Sequence, residues 1–106
     1  MAEIGMLGAG SWGTALTFEL SNRGHHVTVW SIAQDEVDML NSEHEQKVKL
    51  PGVKLPAEVQ ATTDLQRVIE GKDLLVLAVP SPFTRSTARS MKPFVMGRKN
   101  WLFANT

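Results

Sequence analysis

Apolar residues in this chain arrive in short blocks, and the stretches between the blocks have a helical period. Ile4 to Leu7 is an apolar run that stops at Gly8, which predicts a first strand over Met1–Leu7. From Ser11 to Arg23 the pattern is helical, with Leu16 and Leu20 four apart and Ala15 and Phe18 beside them; Gly24 follows as a left-handed stop. His25–Trp30 alternates β-branched residues and predicts a second strand. Asp35–Glu45 predicts a helix on Val37, Met39 and Leu40, with Asp35 and Glu36 suited to its first turn. Leu50–Pro56 is a loop by its prolines and Gly52, and Val59–Thr62 a short strand. Thr63 or Asp64 caps a helix running to about Glu70, stopped by Gly71. Leu74–Val79 is apolar throughout, as a strand covered on both faces must be. A further helix from Ser81 to Met91, broken at Lys92-Pro93, and a last strand at Trp101–Ala104 complete the alternation.

Strand and helix alternating in this way predict an α/β fold: a doubly wound parallel sheet of about five strands in the order 3-2-1-4-5, with right-handed crossovers. The chemistry concentrates in the first turn. Gly8, Gly10 and Gly13 have the G-x-G-x-x-G spacing of a dinucleotide-binding turn, directly after a strand and opening a helix. Gly8 permits the tight turn, Gly10 leaves room for a pyrophosphate to approach the backbone, and Gly13 lets helix and strand pack closely. The unpaired N–H groups at the helix start, and its dipole, then favour the phosphates.

Bulk composition narrows the alternatives. The chain has 106 residues, 42% hydrophobic and 21% charged, as expected of one globular domain or part of one. Zero formal net charge argues against nucleic acid as the main partner. No cysteine is present, which removes disulfides, zinc-thiolate sites and cysteine nucleophiles. No apolar run approaches the ~20 residues of a membrane span, and the N-terminus has no signal-peptide pattern; the expectation is a cytoplasmic protein. His25, His26 and His44 read as solvated turn histidines, so no metal site is expected. Asp35, Glu36, Asp38, Glu43 and Glu45, mixed with Lys47 and Lys49, read as a solvated face.

The wording of the turn is more specific than its glycines. GAGSWGTA is followed by a strand ending in Trp30, then Asn41, LPGVKLP, ATTDL (Ala61–Leu65) and LAVPS (Leu77–Ser81). Together these resemble the N-terminal half of bacterial-type NAD(P)-dependent glycerol-3-phosphate dehydrogenases, over essentially the whole chain. The resemblance implies hydride transfer between a nicotinamide cofactor, NAD or NADP, and dihydroxyacetone phosphate, giving sn-glycerol 3-phosphate for phospholipid synthesis. It places Ser11 and Trp12 against the cofactor's phosphates and ribose. Val79, Pro80 and Ser81 become the loop passing the cofactor after the fourth strand, and Phe83 lies near the nicotinamide. Packing on their own domain is the alternative for Trp12 and Phe83, and strand-end packing fits Trp30 better than an adenine platform.

The chain departs from that family in two respects. Where similar enzymes carry an arginine for the 2′-phosphate of NADP, this chain has Ile32, and no acidic residue stands there to hold a ribose 2′-hydroxyl. Only Ser31 is polar at that point, which leaves NAD and NADP both open. In that family the last strand leads into a lysine-glycine turn, and a helical second domain follows with a catalytic lysine. Lys47, Lys49, Lys54, Lys72, Lys92 and Lys99 match neither position. Residues 1–106 are therefore expected to be the dinucleotide-binding domain of a longer enzyme, inactive by themselves and without a catalytic residue. The competing expectation is a stand-alone, non-catalytic dinucleotide-binding module.

Overall fold

The computed structural model describes residues 1–79, 85–91 and 101–103, the last three by backbone only. Five strands form one sheet: β1 (Glu3–Leu7), β2 (His26–Trp30), β3 (Gln60–Thr62), β4 (Leu74–Leu77) and β5 (Trp101–Phe103). Their order is β3-β2-β1-β4-β5, and every neighbouring pair is parallel. The expected doubly wound topology is therefore observed. The helices between them are α1 (Ser11–Asn22), α2 (Gln34–Glu43), α3 (Leu65–Ile69) and α4 (residues 85–91). Strand β4 ends at Leu77, two residues short of the apolar run, although Ala78 N–H still donates to Leu7 O at 2.8 Å. The predicted Lys92-Pro93 break, Ala104, and the site residues Pro80, Ser81 and Phe83 lie outside the described residues.

Alternation along the strands sorts the core into two layers. Ile4, Met6, Val27, Val29 and Val76 pack with Val37 and Leu40 of α2 and the half-buried Leu16 and Leu20 of α1. Leu7, Leu75 and Leu77 face the other way, onto Val68 and Ile69 of α3 and Met91 of α4. Gly5 belongs to this second face; a Cβ there would collide with the Val68 carbonyl, so the glycine sets how closely α3 lies on the sheet.

The inner face of α1 differs from expectation. Gly13, Thr14 and Thr17 are buried, while Phe18 is 37% exposed. The threonines tolerate burial because Thr17 Oγ1 donates to Gly13 O at 2.8 Å and Thr14 Oγ1 to Ala9 O at 3.3 Å. The histidines also differ from the solvated reading. His25 Nδ1 accepts from Ala2 N–H at 3.0 Å, and His26 Nδ1 lies 2.6 Å from Glu3 Oε1, so the pair ties the chain start to β2. His44 caps α2 in the left-handed conformation (φ 55°), with Nδ1 buried and without a hydrogen-bond partner among the described residues. Further local ties hold the connections: the Asn41 side chain bonds both the N–H and C=O of Ala61 on β3, and Asp64 caps α3 by accepting from Gln66 N–H at 3.0 Å.

Candidate functional site

At the C-terminal ends of β1, β2 and β4 a cleft of about 500 Å³ opens over the first turn. This is the point where chain connections leave the sheet in opposite directions, the usual position for a ligand in an open α/β fold. Its floor is Gly8 to Trp12; Trp30, Ser31 and Ile32 form the wall after β2, Ala78 and Val79 the wall after β4, and Ser86 and Thr87 of α4 contribute from the far side. Of the expected site residues, Gly8, Gly10, Ser11, Trp12, Ser31, Ile32 and Val79 all line it.

The three motif glycines meet different constraints. Gly8 has φ 134°, and a Cβ there would collide with the Ala78 carbonyl, so the turn passes tightly against the end of β4. Gly13 does not line the cleft. It is buried, and a Cβ on it would collide with the Gly8 carbonyl. Gly10 is the reverse case: among the described residues, nothing lies within 4 Å of the position its Cβ would take. The space over Gly10 is part of the cleft, and no packing requirement explains the glycine. At the head of α1 the first intrahelical bond is Thr14 N–H to Gly10 O at 2.9 Å. The amides of Ser11, Trp12 and Gly13 precede it and by helix geometry point out through the N-terminal end. Gly10 caps the helix in extended conformation with no side-chain bond to these amides.

Trp30 is buried at 8% exposure, packs with Leu7 and Leu77, and donates through Nε1 to Thr63 O at 3.0 Å, as a strand-end packing residue does. Trp12 is 46% exposed and Ile32 85% exposed, both on the cleft. The largest departure from the sequence reading lies beside them. Glu36 is not on a solvated face; it lines the cleft with its side chain only 15% exposed. Ser31 Oγ donates to its Oε1 at 2.6 Å, and Gln46 Nε2 and Lys49 Nζ donate to its Oε2 at 2.9 and 2.8 Å. Burial alone would raise this carboxyl's pKa. The hydrogen bonds from Lys49 and Ser31, the Lys49 charge and the Gln46 amide outweigh it, holding Glu36 below the usual carboxylate range. Gln46 is completely buried and also donates to Ala9 O at 2.7 Å, which couples the glycine turn to the carboxylate. An acidic residue therefore does stand next to Ser31, delivered by the first turn of α2 rather than by the end of β2. Its spacing from the glycines falls near that of an acidic ribose ligand; the other residues that hold it leave no local pattern.

A parallel sheet in this order, with a glycine turn and a helix N-terminus at its switch point, defines a Rossmann-type domain. A family model described as the N-terminus of NAD-dependent glycerol-3-phosphate dehydrogenase matches residues 3–105. The chain belongs to that family. A glycerol-3-phosphate dehydrogenase [NAD(P)+] of Agathobacter rectalis is 57% identical over 95 residues, covering 90% of this chain and 28% of that protein. One from Lactobacillus delbrueckii subsp. bulgaricus is 47% identical over the same shares. The crystal structure of glycerol-3-phosphate dehydrogenase from Coxiella burnetii superposes with a TM-score of 0.92 at 32% identity, covering 99% of this chain and 32% of that one. The chain thus spans somewhat under a third of the length of the relatives it matches.

Proposed function

We propose that residues 1–106 are the domain that binds NAD or NADP in an enzyme interconverting dihydroxyacetone phosphate and sn-glycerol 3-phosphate. The observation that carries this reading is the contrast among the glycines: Gly8 and Gly13 are required by packing, whereas Gly10 faces open cleft at a helix N-terminus. A cradle that only a side chain at position 10 would fill suits a pyrophosphate, which needs close backbone approach and N–H donors. In this reading the amides of Ser11 and Trp12 hold the phosphates, Trp12 covers the ribose, and Ser31 and Ile32 flank the adenosine. Val79 borders the nicotinamide side. When bound, the nicotinamide accepts or donates the hydride. The chain's own residues bind and orient it; the group that handles the proton at the substrate carbonyl belongs to the rest of the enzyme. The same reading places the protein in the cytoplasm, with glycerol 3-phosphate made there for phospholipid synthesis.

Gly10→Val tests the site. The variant is expected to keep the wild-type melting temperature and lose NADH binding, measured by nicotinamide fluorescence or calorimetry. Unchanged NADH affinity in a folded Gly10→Val protein removes the main support for the reading.

A further inference from the structure

The side chain at position 32 offers a 2′-phosphate nothing, since that of Ile32 carries neither charge nor hydrogen-bond donor. A cation nevertheless stands on the same wall of the cleft. Lys49 Nζ lies 2.8 Å from Glu36 Oε2, and Ser31 Oγ lies 2.6 Å from Glu36 Oε1, so ammonium and Ser31 are separated by one carboxylate and two hydrogen bonds. Ser31 follows β2, where a Rossmann site meets the adenosine ribose. Resting on the dinucleotide reading above, we propose that Lys49, parked on Glu36, is the side chain that receives the 2′-phosphate of NADP, and that this pair rather than position 32 sets the choice between NADP and NAD.

The geometry says which partner moves. Glu36 is held on one oxygen by Ser31 and on the other by the fully buried Gln46, itself anchored on Ala9 O. Ser31 is fixed in turn, since its Oγ accepts from Ala33 N–H at 3.1 Å. If Lys49 turns away, the carboxylate therefore keeps a donor on each oxygen and is not stranded. Lys49 has no such frame: its side chain is 50% exposed, on a flexible stem, and Glu36 uses one of three ammonium donors. With NAD, Lys49 stays on Glu36, and the carboxylate is placed to accept from the ribose 2′-hydroxyl. With NADP, the ammonium shifts to the phosphate and shields it from Glu36. A charge-assisted contact of this kind is direct and selective for the phosphorylated cofactor.

The test uses the intact protein that carries this chain. NADPH and NADH are titrated by fluorescence, and 2′,5′-ADP and 5′-AMP by calorimetry. Lys49→Met is expected to weaken NADPH and 2′,5′-ADP about tenfold or more while NADH and 5′-AMP change by less than about twofold. Lys49→Arg should retain NADPH binding. Glu36→Gln should tighten NADPH and weaken NADH, and added salt should erode the wild-type affinity for NADPH more than that for NADH. If the wild type binds NADH but Lys49→Met leaves the NADPH-to-NADH ratio unchanged, this assignment is overturned and the dinucleotide site stands. A wild type that binds none of the four probes overturns both.

Discussion

Glu36 is a half-buried carboxylate whose desolvation is more than offset by donors from Ser31, Gln46 and Lys49, so the folded state favours its charged form. A depressed folded pKa contributes stability that is fully present above the unfolded value, near 4.5, and is lost as pH falls through the lower folded value. Wild type and Glu36→Gln should therefore differ most in melting temperature near neutral pH, and the gap should close as the pH falls below the ordinary carboxylate value of 4.5. A gap independent of pH shows that the charge of Glu36 contributes nothing to folding. Glycine positions give the complementary residue-scale expectation. Gly13→Val forces a side chain into the Gly8 carbonyl and should lower both stability and NADH affinity, unlike Gly10→Val. Gly5→Ala strikes the Val68 carbonyl on the face away from α1 and α2. It should cost about 1–3 kcal/mol in urea unfolding, yet leave NADH affinity of the folded protein unchanged.

Among the elements, α3 is the one most dependent on its cap. It has five residues, too few for helix propensity to sustain it, and it is held by the Asp64 bond to Gln66 N–H and by burial of Val68 and Ile69. Asp64→Ala should destabilise the domain by about 0.5–2 kcal/mol, the range of a lost N-cap, without altering the cleft. Full retention of stability in the unfolding curve assigns α3 to core packing alone. The connection from α2 to β3 works differently: the loop carries Gln46 inward and Lys49 to the cleft, while Asn41 bonds β3 directly. That loop is thus both a crossover and a wall of the site.

For the whole molecule, the described residues line a cleft at the C-terminal ends of the strands, in a chain that spans 28% of the Agathobacter relative. On the proposed dinucleotide reading, the 106-residue chain on its own is expected to bind NADH with a Kd of order 10 μM to 1 mM. It should not oxidise NADH with dihydroxyacetone phosphate; steady turnover abolished by Gly10→Val shows that the catalytic group lies within these residues. Element order, the parallel 3-2-1-4-5 sheet and the glycine turn were legible in the linear chain, because period, turn glycines and crossover handedness are local or nearly so. The cap of α3 was legible only as Thr63 or Asp64, and the structure selects Asp64; Asn41 stood out as a residue, although its partner on β3 did not. Glu36 reads as solvent-facing in the linear chain, since the residues that hold it are Ser31, Gln46 and Lys49, and nothing in their types marks them as neighbours. The inward threonines of α1 and the His26–Glu3 contact were missed for the same reason. The sequence alone determined where the backbone turns and which faces are apolar. Only the tertiary structure decided which polar side chains are partners, because a buried polar group is defined by donors that folding brings from elsewhere.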